Sequence, residues 1–182
     1  LKNNIKQPWV EAGYHFFALH GPNGLKVQPI ARYVYKSKSS FYHLFADTEV
    51  FTQHLLRHHQ ARALVIARQA ALCTTVPNMI NLLLNCKTDI LFNRQLRIHR
   101  HIPHFKTAFE TANNCVVNAL LPLWANALGL AHTPHLAKLI MNLTIENFYL
   151  SVTADNLTSQ WLMDYLYQIQ LMVKEMSAER LK

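Results

Sequence analysis

Eleven histidines and three cysteines are the side chains through which this chain could hold a metal or attack a substrate, and their spacing decides what is open to them. His54 and His58 stand four apart on one helix face, while His99, His101 and His104 crowd a single break. Zinc takes three or four ligands, and neither group has a carboxylate or a paired cysteine close by in sequence. Both therefore read as solvated basic surface, and no metal or other cofactor is expected. Cys73, Cys86 and Cys115 lie in apolar helical text without a Cys-x-x-Cys pair, which indicates neither a disulfide framework nor a zinc site and fits a reducing cytoplasm. Nothing sets a cysteine beside a histidine base, and the sequence holds no glycine-rich phosphate loop or acidic pair. An enzyme is not expected.

A different chemistry is written in Lys36-Ser37-Lys38-Ser39-Ser40, with Tyr42 and His43 following. Ser37 is suited to cap a helix whose outward backbone N–H groups would face a phosphate, and Lys36 and Lys38 add charge there. Ser39 and Ser40 are short enough to let such a helix enter a major groove, and Tyr42 can set its hydroxyl on a phosphate and its ring on the core. Ordinary solvated lysines and a packing tyrosine are the bland alternative. The charge of the whole chain favours the first reading: +8 at pH 7 suits an anionic partner. Half of that excess falls in the first 60 residues, where Lys2, Lys6, Lys26, Arg32, Lys36, Lys38 and Arg57 face only Glu11, Asp47 and Glu49.

The elements that must position these residues are helices. Hydrophobic residues make up 51% of the chain, glycine contributes 4 residues, and no alternation of strand type is sustained, so an all-α fold is expected. Apolar spacing predicts a first helix from Trp9 to Leu19, stopped by His20-Gly21-Pro22-Asn23-Gly24, a short one from Val27 to Val34 with Pro29 in its first turn, and a third from Ser37 to about Phe45. Two short helices joined by a turn of about four residues after a longer helix form a helix-turn-helix layout, though simple helix packing gives the same spacing. Asp47 can cap a helix over Glu49 to Cys73. Further helices are predicted over Met79 to Leu96, His104 to Thr111, Asn113 to Leu128, His135 to Val152 and Leu157 to Ala178. No apolar run reaches 18 residues and the first ten residues lack the apolar core of a signal peptide, so neither membrane association nor export is expected.

Read as a string, AGYHFFALHGPNGLKVQPIARYVYKSKSSFYHLFADTEVF resembles the N-terminal domain of the TetR/AcrR family of transcriptional regulators. The likeness rests on Ala12, Gly13, Phe17, Gly21, Gly24, Leu25, Ile30, Ala31, Ser37, Ser40, Tyr42, Phe45, Glu49 and Phe51, about a quarter of the chain. Tyr35 and Lys36 stand where the family usually has a small residue, often glycine, and then an apolar one. Lys26 replaces a capping Thr or Ser, and Thr48 a frequent lysine.

The resemblance implies a DNA-binding domain over residues 1–46 and a helical effector-binding and dimerisation domain over 47–182. It implies that Gln28, Lys38, Ser39 and Ser40 face bases of a double-stranded operator, and that Tyr42, His43 and Thr48 face the backbone beside Lys36 and Ser37. In the second domain it would pair the last two helices with those of another copy through Leu136, Ile140, Leu143, Trp161, Tyr165, Ile169 and Met172; packing within one chain is the alternative. A pocket among the middle helices would be lined by Phe92, Phe105, Phe109, Trp124 and Phe148, with Asn118 and Asn142 as polar anchors, unless these aromatics are simply core. The expectation is a homodimeric, cytoplasmic, sequence-specific DNA-binding regulator, a repressor released by an apolar or aromatic small molecule. The competing expectation is an all-helical interaction protein of the same fold without regulated DNA binding.

Overall fold

The computed structural model describes residues 2–179, which form nine α-helices and no strand. The fold is all-α. Helix α1 (Lys2–His20) begins well before Trp9, because Pro8 in its second turn forfeits one backbone hydrogen bond without ending the helix. A 3-10 turn, Gly21–Gly24, follows, and then α2 (Val27–Tyr33), α3 (Lys38–Leu44) and α4 (Thr48–Ala70). The remaining helices are α5 (Val76–Asn85), α6 (Lys87–Ile98), α7 (Pro103–Ala127), α8 (Pro134–Ser151) and α9 (Ser159–Glu179). Two corrections to the sequence reading arise here. The segment over Met79 to Leu96 is two helices, broken at Cys86, and the segments on either side of residue 112 are one helix, α7, which also runs through Pro122.

The chain divides into two compact units: one takes in the residues up to Leu64 and Thr88–Asn113, the other Val65–Lys87 and the residues from Asn114 on. The expected boundary at 46/47 thus lies inside the first unit. That unit is built on aromatic residues. Phe17 packs on Phe92 and Phe105 with ring centroids 4.3 and 5.5 Å apart, and Phe41 meets Trp9, Phe45 and Phe51 at 5.5, 5.1 and 5.1 Å. Trp9, Phe17, Phe41, Phe45, Phe51 and Phe92 are all fully buried, and removing one such ring would cost about 3–5 kcal/mol. Gly13 on α1 leaves room for Phe51 of α4: a Cβ there would run into the Phe51 ring, so any side chain would displace that buried ring.

The first unit also buries polar groups, and three of them, His59, Asp89 and Asn93, are joined in one network through Tyr14. The hydroxyl of Tyr14 on α1 donates to Asp89 Oδ1 on α6 at 2.9 Å and lies 2.6 Å from Nδ1 of His59 on α4. Arg62 grips the same carboxylate through Nε at 2.9 Å and Nη2 at 2.6 Å, and His59 Nε2 lies 3.2 Å from Asn93 Oδ1. The second unit has an apolar core in which α5, α7, α8 and α9 all take part, through residues such as Met79, Leu120, Ile140, Leu166 and Ile169.

Candidate functional site

The surface around α2 and α3 is shaped by how α2 ends. Lys36 N–H donates to the Ala31 carbonyl at 2.9 Å, and Tyr35 N–H donates to Arg32 at 3.1 Å inside that wider loop. This nested pair is a Schellman C-cap, which places Tyr35 in the left-handed region at φ 55°. Glycine holds that conformation freely; a side chain there costs about 1–2 kcal/mol. The turn therefore has the left-handed shape that a glycine would favour, held by a tyrosine under strain. Tyr35 is 93% exposed, so no packing offsets that cost.

Ser37 is the N-cap of α3, as its type suggests: its Oγ accepts from Ser40 N–H at 3.2 Å and lies 3.0 Å from Ser40 Oγ. Asp47 does the same for α4, with Oδ1 accepting from Val50 N–H at 2.8 Å. Phe41 fastens α3 to the core, and Ile30 and Ala31 fasten α2. Since Phe41 faces inward, Ser39, Tyr42 and His43 face outward on the same helix. Gln28, Lys36, Ser37, Lys38, Ser39, Tyr42, His43 and Thr48 are all exposed and Ser40 is half-buried, so all nine residues expected to meet DNA lie in the first unit and reach solvent.

Beside this surface the structure reveals a basic pair that sequence spacing did not reveal. Lys6 Nζ lies 3.5 Å from Nε2 of His54 and 5.2 Å from the centroid of the Phe45 ring, at the C-terminal end of α3. Burial, followed by the nearby charges of Lys6 and Arg57, lowers the pKa of His54. Only a fold that brings α1 against α4 joins residues 48 apart, so no local signal announced this pair. Tyr33, 59% exposed, adds another outward aromatic two residues before Tyr35. Its ring stacks on His15 at 6.4 Å.

The other expected sites are placed differently. Phe92, Phe105 and Phe109 are buried in the first unit, whereas Trp124 and Phe148 belong to the second, so the seven residues expected to line a pocket do not gather in one unit. Asn118 and Asn142 are exposed and serve no enclosed anchor. Phe148 packs on Trp161 and Tyr165 at 5.6 and 5.7 Å, and Tyr165 donates to the Thr144 carbonyl. Burial pushes that phenol up to about 12.

Among the residues expected between subunits, Ile140 and Ile169 are each 6% exposed and sit in the core of their own unit. They cannot also meet a second chain; the periodic stripe on each helix is wide enough to hold an inward and an outward edge. Leu136, Trp161 and Tyr165 are half-buried, while Leu143 and Met172 are exposed at 75% and 42%. Leu139 and Leu150 join Leu143 on the face of α8 turned away from that core.

Among the described residues no three histidines, cysteines or carboxylates gather where a metal could sit, and no helix is long and apolar enough to cross a membrane. No family model matches the chain, and no curated protein matches it in sequence.

Proposed function

We propose that the chain is a sequence-specific DNA-binding transcriptional regulator that reads a double-stranded operator with α3, works as a homodimer, and changes its affinity when an apolar small molecule enters the second unit. The observation that carries this reading is the exposed surface on α2, its turn and α3. Lys36 projects there from the turn, and Lys38, Ser39, Ser40, Tyr42 and His43 project from a short helix whose opposite side is locked into an aromatic core. Phosphate contacts from Lys36, Lys38 and Tyr42 would set the register, and Gln28 and Ser39 are short enough to reach base edges. Lys6, whose ammonium lies against His54, extends the same charge beyond α3. For the second copy, the exposed edge formed by Leu139, Leu143 and Leu150 replaces the buried isoleucines as the contact surface.

Fluorescence anisotropy with DNA from upstream of the coding region tests the reading. Affinity should fall steeply with salt, with a slope of about 0.9 per phosphate neutralised, and Lys38→Ala should reduce that slope by about one contact. Binding that stays flat from low to moderate salt, or that is equal for all sequences, refutes it.

A further inference from the structure

Trp124 is 8% exposed and lies on α7 in the core of the second unit, yet its indole N–H has no hydrogen-bonding partner among the described residues. Buried donors are almost always satisfied, because leaving one bare forfeits its bond to water and returns nothing. A leucine or phenylalanine would fill the same space without that loss, so the indole nitrogen calls for an acceptor. The neighbouring core offers none: it is made of side chains such as Leu82, Leu120, Leu128 and Ile140.

Two features would let that core admit a guest. Met79, Met141 and Cys86 are soft, adaptable side chains within it. Pro122, two residues before Trp124, removes an N–H from the helical ladder and loosens α7 there.

The charge of the guest follows from the same surroundings. Every buried polar or charged side chain among the described residues (His59, Asp89, Asn93 and Gln95) belongs to the first unit. The core around Trp124 thus holds no cation, and the phenol packed against it, Tyr165, already donates to the Thr144 carbonyl. A carboxylate there would lose its hydration for a single hydrogen bond, whereas a neutral carbonyl needs only that one bond.

We infer that Trp124 is the polar anchor of a ligand site inside the second unit, and that its ligand is a neutral apolar molecule carrying one hydrogen-bond acceptor, such as an aryl or alkyl ketone or ester. This rests on the effector reading above and narrows it, since anionic fatty-acid-like compounds drop out.

The test uses the full chain labelled with nitrogen-15 and three probes of similar size: acetophenone, ethylbenzene, which lacks the acceptor, and benzoate, which carries charge. Octanophenone serves as a longer ketone. The Trp124 indole resonance is assigned by its loss in Trp124→Phe. A ketone should move that N–H proton downfield and bind about fivefold more tightly than ethylbenzene, the factor one hydrogen bond supplies, while benzoate leaves the spectrum unchanged. In Trp124→Phe the preference for ketone over hydrocarbon should vanish. The inference is overturned if neither ketone moves the indole proton, if the proton already stands at a hydrogen-bonded shift that ketone leaves in place (the mark of an internal water), or if benzoate binds as well as acetophenone. The spectra of the unsubstituted chain decide this even if the variant fails to fold. No readout involves DNA, so loss of the operator reading and loss of this one are told apart.

Discussion

The two units solve the same packing problem with different interiors. The first buries an aromatic cluster together with Tyr14, His59, Asp89 and Asn93, linked to Arg62, so that α1, α4 and α6 are joined by hydrogen bonds of fixed direction. The second holds its helices mainly by apolar contact, with single hydrogen bonds from Tyr165 to the Thr144 carbonyl and from Gln170 to the Ala127 carbonyl, and inside its core an indole nitrogen has nothing to bond. Directional bonds are lost when a helix slides by a fraction of a turn; apolar contacts can be exchanged for others at small cost. An interior of the first kind suits a unit that must hold a surface in one shape. The second kind suits a unit that must give way to a guest.

The largest expected effect is a charge placed in the apolar interior. Ile169→Glu would bury a carboxylate with no partner and should destabilise by about 4 kcal/mol or more, seen as collapse of the urea midpoint. Leu143→Glu, at a position 75% exposed, should leave that midpoint nearly unchanged and act on association instead, giving a monomer in sedimentation. Equal stability for the two variants would mean that the core of the second unit is looser than its burial pattern implies.

The polar interior should respond to acid. Burial, the largest cause, lowers the pKa of His59 from 6.5 to about 4, against weaker raising by its bond to Asn93 and the charge of Asp89. Because the folded value lies below the unfolded one, the unfolded chain takes up a proton first as pH falls. The contribution is fully present above about pH 6.5, is lost between there and about pH 4, and levels off below. At about 1.4 kcal/mol per pH unit the loss approaches 3 kcal/mol. Burial also lowers the values of His54 and His58, which steepens the same limb. Stability measured by urea melts across this range should show that slope, and His59→Leu should flatten it whatever its effect at neutral pH. A profile that is level from pH 7 to pH 4 would remove His59 from the buried network.

Breaking that network at its centre should matter less. Asp89→Asn keeps an acceptor for Tyr14 but loses the charge that Arg62 holds. Because the Arg62 side chain is 43% exposed and water can take it over, about 2 kcal/mol is expected, less than for a fully buried pair. A loss equal to that of Ile169→Glu would show that the network carries the whole unit.

How much of this could be read from the sequence follows from the range of each interaction. Ser37 and Asp47 are local signals: a short oxygen-bearing side chain three residues before the N–H it accepts, and both cap as their types suggest. The break at Cys86 has no glycine or proline to announce it, and Pro122 announces one that α7 does not make. The buried network joins Tyr14 to residues 45 and 75 positions away, so only the folded chain brings it together. On α9 the apolar residues cover too wide an arc for periodicity to tell the inward Ile169 from the outward Met172. The surface on α3 was legible because its residues are close in sequence and tied to one cap and one turn.

The smallest predicted effect tests that turn. Tyr35 sits at φ 55° with its ring almost wholly in water, so Tyr35→Gly relieves the strain and loses no packing. Glycine also gives the unfolded chain more freedom, which offsets part of the gain, and a net stabilisation of about 1 kcal/mol is expected, as a raised urea midpoint at unchanged slope. Tyr35→Val should move the other way, since a β-branched side chain tolerates positive φ least. Operator affinity measured on the same two variants then separates backbone from ring. If Tyr35→Gly gains stability and keeps its affinity, the aromatic side chain contributes nothing to DNA and the strain is incidental. A gain in stability with a loss of affinity would mean that the ring is held in a costly conformation for the contact it makes, beside Lys36 and Lys38, with the nucleic acid.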